Sequence, residues 1–188
     1  LGSYSYATVN MANLYYLFNA NWVATSQSTG WALPLVFGVL CAIWAAVTFC
    51  RQRKCNMPLF WLESLVTGCF AVYYFILALV QPSYTLIGVP AMALCILLTL
   101  GMYLRGNDLK HLPLAGGILF VLLCCFGLKM HERYLFPALL LLGLAFLQRR
   151  DRRIFTLLMV GSLTMFLNAG IVLDNSLRLG SSMGHLNN

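Results

Sequence analysis

The chain has 188 residues, of which 61% are hydrophobic and only 9% charged, and its formal net charge is +7. A soluble domain carries about 25% charged residues, so this chain has too little polar surface to fold in water and has the composition of a polytopic membrane protein. The basic balance does not point to nucleic acid, because the basic residues stand in short groups between apolar runs.

Residues 1–30 are aromatic and polar, begin with Leu1, and carry no signal peptide. They are expected to continue from an upstream segment, which makes this chain the C-terminal part of a longer protein. Tyr4, Tyr6, Tyr15, Tyr16, Trp22 and Trp31 suit an interfacial aromatic belt. Asn10 and Asn13, three apart, share one face if the segment is helical and can donate hydrogen bonds to a sugar.

Six apolar runs follow, at 31–50, 59–80, 85–104, 113–128, 134–147 and 154–173. A membrane span needs about 20 residues. The fourth run is a little short, and the fifth is clearly short. The expected fold is all-α: a transmembrane helix bundle of about six spans over residues 31–173. It lies between the extracytoplasmic segment 1–30 and a loose polar tail, 174–188, in which His185 is a solvated residue. Pro34, Pro90 and Pro137 are expected to kink spans.

Nine of the twelve basic residues fall in three alternate loops, 51–54, 105–110 and 149–153. The positive-inside rule puts these loops in the cytoplasm. Asp108 and Asp151 then face the cytoplasm, and Glu63 lies at the cytoplasmic end of its span. Seven cysteines, without a C-x-x-C pair, read as buried small hydrophobes with free thiols. Cys50 and Cys55, beside a basic loop, are weak candidates for palmitoylation.

The cluster Lys129, His131, Glu132 and Arg133 falls on the opposite, extracytoplasmic side, against the positive-inside trend. The fifth run reaches only about 21 Å as a helix, so a spanning helix has to begin inside the cluster. Lys129 and Arg133 would then share a face, a like-charge pair that an anion between them would stabilise. Pro137 supplies no N–H to the carbonyl of Arg133. These features make a seat for a phosphate, with Arg133 as a forked donor and His131 as a hydrogen-bond donor or proton shuttle. A charged interfacial loop with snorkelling side chains is the plainer alternative. A metal is disfavoured, since Leu135 stands where H-E-x-x-H needs its second histidine. No motif calls for a cofactor.

The stretch MHERYLFPALLLL (130–142) resembles a motif of bacterial membrane glycosyltransferases related to the GPI mannosyltransferase-2 (PIG-V) enzymes, within the GT-C superfamily. YATVNMANLYYL (6–17) resembles a family segment of pattern T-V-N-A-x-N-L-W. Thr8, Val9, Asn10, Asn13 and Leu14 match it, Met11 stands where alanine is usual, and Tyr15 where tryptophan is usual. Elsewhere the likeness is one of hydropathy only.

The resemblance implies a bacterial plasma-membrane enzyme. It would take a sugar from a polyprenyl-phosphate donor and pass it to a glycan or lipid acceptor at the extracytoplasmic face. Substrate binding would fall to Lys129, His131, Glu132, Arg133, Tyr134, Asn10 and Asn13. Members of the superfamily carry an acidic catalytic residue in an early extracytoplasmic loop, and that region is missing here. Glu132 can serve as a general base, but an upstream carboxylate is the expected one, so this chain alone should be inactive. A transporter or flippase subunit for a lipid-linked saccharide is the second reading, and a membrane scaffold without substrate the third.

Overall fold

A computed structural model describes residues 5–55, 58–106 and 108–184. The structure is an all-α bundle capped at one end by a small irregular unit. In hydrocarbon every backbone N–H and C=O needs an internal partner, which makes helices of the apolar runs. They are α2 (Ala32–Cys55), α3 (Pro58–Val80), α4 (Tyr84–Gly106), α5 (Leu112–Phe126), α6 (Phe136–Arg149) and α7 (Arg152–Gly184). The short α1 (Leu14–Leu17) belongs to the cap.

Five helices are long and apolar enough to cross a membrane: Ala32–Arg53, Pro58–Val80, Tyr84–Gly106, Leu109–Phe126 and Arg152–Asp174. The chain is an integral membrane protein. The sixth expected span, α6, has 14 residues, and its helix does not begin inside the cluster as expected. A 3-10 turn, Glu132–Leu135, leads into it instead. The longer rise per residue of that turn brings the two together to about 29 Å.

Alternation of the helices separates two ends. Arg51, Arg53, Arg105, Lys110, Arg149, Arg150, Arg152 and Arg153 gather at the basic end; the side chain of Lys54 lies outside the described residues. Asp108 and Asp151 act there as caps, accepting from the backbone N–H of Lys110 at 3.0 Å and of Arg153 at 2.8 Å. Residues 5–31 form the other, capped end.

Two of the three prolines start helices and do not kink them. Pro34 lies in the first turn of α2 and Pro137 in that of α6, where no helical N–H is needed. Pro90 alone is interior, within α4. It cannot donate to the carbonyl of Leu86, and the Tyr73 hydroxyl on α3 donates to that oxygen at 2.8 Å. The neighbouring Tyr74 hydroxyl donates to the carbonyl of Ile87 at 3.0 Å. Two tyrosines of α3 thus satisfy the backbone that the proline disturbs.

Close packing follows the glycines. A Cβ on Gly88 would come within 2.7 Å of Leu128 Cβ and 2.9 Å of the Tyr15 hydroxyl, so α4 meets the cap through a bare backbone. A Cβ on Gly117 would come within 2.9 Å of Leu142, which sets α5 against α6. The main core, under the cap, includes Tyr15, Leu33, Phe37, Tyr74, Ile87 and Leu128.

Residues 174–184, expected as a loose tail, continue α7 as helix. Asp174 and Arg178, one turn apart, form an ion pair there at 2.8 Å; His185 lies outside the described residues. The cysteines divide, with Cys41, Cys95 and Cys124 buried and Cys50, Cys69 and Cys125 exposed. The side chain of Cys55 lies outside the described residues.

Candidate functional site

The cap is built from hydrogen bonds that local sequence makes possible. Tyr6 and Ala24 form an antiparallel bridge, flanked by Ala7 N–H to Val23 O and Thr25 N–H to Ser5 O, both at 2.7 Å. Asn10, Asn19 and Trp22 adopt left-handed backbone. Asparagine accepts that conformation readily, and a bulky residue such as Trp22 does so at a cost. Trp22 is held there by donating its N–H to Thr8 O at 3.0 Å and its indole Nε1 to Asn10 Oδ1 at 3.1 Å. Asn21 Oδ1 accepts from the Asn10 N–H at 2.9 Å.

The two segments quoted above, 6–17 and 130–142, meet directly. β1 (Thr8–Val9) pairs in parallel with β2 (Met130–His131), with Thr8 beside Met130 and Val9 beside His131. Lys129 turns the corner into β2 with φ 59°. Its N–H donates to Ala7 O at 2.8 Å, which fixes a conformation that costs a lysine roughly 1–2 kcal/mol. Thr8, fully buried, places its hydroxyl near Met11 O (3.3 Å) and Met130 O (3.5 Å).

α7 joins this junction. Asn168, buried on its inner face, donates Nδ2 to Asn10 O at 2.9 Å. Its Oδ1 accepts from the Ala12 N–H at 3.1 Å. One side chain therefore ties residues 10–12, just after β1, to the last helix. The sequence reading passed over this residue. An amide inside the run TMFLNAGIV, the one amide within residues 154–173, was the available signal.

Each expected site residue has a definite place. Lys129 is exposed at its left-handed corner. His131 is buried at 9% exposure, with the Tyr134 ring 5.4 Å away and nearly perpendicular. Arg133 and Tyr134 are exposed within the 3-10 turn. Glu132 begins that turn, and its side chain lies outside the described residues.

Three geometric expectations fail. Lys129 and Arg133 do not share a helical face, because residues 130–131 are extended and 132–135 form a 3-10 turn. The Arg133 carbonyl is not left open by Pro137, since it accepts from the Phe136 N–H. Asn10 and Asn13 do not lie on one helix either. Asn10 is a left-handed corner whose side chain holds Trp22. Asn13 is the N-cap of α1, its Oδ1 accepting from the Tyr16 N–H at 3.1 Å.

The aromatic belt divides as well. Trp22 and Trp31 are largely exposed, and Tyr6 packs edge-on against Trp22 at 5.3 Å. Tyr15 instead is fully buried in the core, donating its hydroxyl to Phe126 O at 3.2 Å. Burial pushes that hydroxyl well above the ordinary tyrosine range, so it stays a donor. Tyr4 lies outside the described residues.

No family model, curated protein or solved structure matches the chain.

Chemically, the junction carries two exposed cationic side chains, Lys129 and Arg133, and the buried imidazole of His131. Asn13 adds one feature. It is 5% exposed, and its Nδ2 has no partner among the described residues. A buried amide N–H₂ left unpaired is costly, and a ligand oxygen would satisfy it.

Proposed function

We propose that the chain is a membrane part of a glycosyltransferase, mannosyltransferase-like, that uses a polyprenyl-phosphate-linked sugar. The supporting observation is the pairing of Thr8–Val9 with Met130–His131. It brings together the only two segments that resemble this class of enzyme, although more than 100 residues separate them in the chain. Helix alternation carries basic loops 51–54, 105–110 and 149–153 to the end opposite the cap, so the positive-inside rule assigns the cap to the extracytoplasmic face.

In this reading the donor phosphate sits at Lys129 and Arg133, with Arg133 contributing a planar fork. His131 and Tyr134 border the sugar, and Asn13 donates its Nδ2 to a hydroxyl. Asn10 shapes the site through Trp22 and Asn168 without contacting substrate. The acceptor is a glycan or a lipid. The general base is a carboxylate, with Glu132 as the candidate within this chain.

The test uses a photoactivatable polyprenyl-phosphate analogue with the protein in membranes, followed by peptide mapping. Labelling within residues 127–136 that unlabelled polyprenyl phosphate competes away, and that Arg133→Ala weakens at least fivefold, is the expected result. Labelling spread evenly over the helices and indifferent to competitor would sink the donor-site reading.

A further inference from the structure

A cavity of about 420 Å³ runs between α2, α3, α4 and α5, within the size range of lipid and cofactor pockets. Along α4 its wall reaches from Ala91 to Arg105, about 21 Å at the helical rise. That exceeds the roughly 15 Å hydrocarbon depth of one leaflet. Phe37 and Phe126 line its inner end, with rings 6.0 Å apart. Arg51 and Arg105 line the end toward the basic loops.

The polar groups along the walls are already engaged. Thr67 donates to Glu63 O and Thr99 to Cys95 O, both at 2.8 Å. Trp44 donates Nε1 to Glu63 Oε1 at 3.1 Å, and Arg105 pairs with the other oxygen of that carboxylate. The shaft therefore offers few polar partners to water or to a sugar, and largely apolar space favours an apolar occupant. Left empty it would forfeit packing. A hydrocarbon chain is the occupant that fits, and a bilayer supplies one.

The arginine end selects the headgroup. Glu63 is covered by Arg105 and Trp44, and Arg51 is exposed. Among the described residues Arg51 has no ion-pair partner. The net charge there is positive, at the end of the bundle that carries the basic loops. We infer that this cavity binds one anionic phospholipid, its chain in the shaft and its phosphate at Arg51 and Arg105. The site includes none of Asn10, Asn13, Lys129, His131, Arg133 and Tyr134 and does not depend on the glycosyltransferase reading.

The experiment is native mass spectrometry of the protein released from mild detergent micelles containing phosphatidylglycerol or phosphatidylcholine of identical chains. One retained phosphatidylglycerol per chain is expected, favoured at least fivefold over phosphatidylcholine. Arg51→Gln should lower that retention at least fivefold and abolish the headgroup preference. Leu98→Trp, which fills the shaft, should remove both lipids. Equal retention of the two lipids by the wild type marks annular lipid and overturns the proposal, as does retention that Arg51→Gln leaves unchanged. Wild-type protein that keeps neither lipid also overturns it. Should Leu98→Trp not fold, Arg51→Gln and the headgroup comparison decide the matter alone.

Discussion

Asn168 on α7 and Asn10 in the cap are joined by a hydrogen bond of 2.9 Å across 158 residues of chain. The same amide takes the N–H of Ala12, so both of its ends are used on backbone. Asn168→Leu leaves a carbonyl and an N–H at the junction without partners, at a cost of about 2–4 kcal/mol. The expected outcome is a lower thermal midpoint in detergent and faster proteolysis within residues 5–31, with the bundle still helical by circular dichroism. Asn168→Asp should not rescue, because a carboxylate oxygen would face the Asn10 carbonyl. An unchanged midpoint in both variants would show that the cap stands without α7.

Arg105 and Glu63 form a largely buried ion pair between α3 and α4, with side chains 17% and 6% exposed. Arg105 also stacks on Phe60, its guanidinium carbon 4.7 Å from the ring centroid, and Trp44 bonds the carboxylate from α2. Removing one partner strands a charge away from water, which costs roughly 3–5 kcal/mol. Arg105→Ala should therefore destabilise strongly. The double variant Glu63→Gln with Arg105→Met should recover most of the loss. Thermal unfolding of the three proteins checks this, and equal destabilisation by the single and double variants would count against it.

Tyr73→Phe removes the hydroxyl that serves the Leu86 carbonyl. Side-chain hydrogen bonds inside membranes contribute roughly 0.6–1.7 kcal/mol, and a loss in that range is expected. Pro90→Ala returns an N–H to α4, so the Leu86 carbonyl regains its own helical donor. In the Pro90→Ala background Tyr73→Phe should then be close to neutral. A double-mutant cycle reads the coupling directly, and strict additivity would refute it.

The helices were legible because hydrocarbon leaves the backbone no other choice, and the basic loops sorted the ends. The cap was not legible in the same way. Its shape rests on left-handed corners at Asn10, Asn19, Trp22 and Lys129 and on pairing between residues more than 100 positions apart. No periodicity announces either. Reading Lys129–Arg133 and Asn10–Asn13 as helical put these residues on faces they do not share. Hydropathy placed α6 but not its entry, where the 3-10 turn after β2 supplies the missing length. Asn168 stood in plain view as an amide in an apolar span, and only its distant partners gave it meaning.

Lys129 separates what the cap needs for folding from what the proposed donor site needs for charge. Its backbone is left-handed, with φ 59°, and its side chain is exposed. Glycine takes that conformation without the steric penalty of a Cβ. Lys129→Gly should therefore keep stability or raise it by up to about 1 kcal/mol, even though a long side chain is lost. Lys129→Val carries a branched Cβ in the same position and should destabilise by about 1–2 kcal/mol. The charge effect runs the other way in the glycine variant. If a phosphate sits at Lys129 and Arg133, removing one exposed cation weakens an ionic contact by about 1 kcal/mol, or roughly fivefold in donor affinity. The weakening should shrink as salt is raised. The expected pattern for Lys129→Gly is an unchanged or higher thermal midpoint with weaker binding of a polyprenyl-phosphate analogue at low ionic strength. Binding equal to that of the wild type, in a protein that is as stable or more so, would leave Lys129 as a corner of the cap and take it out of the site.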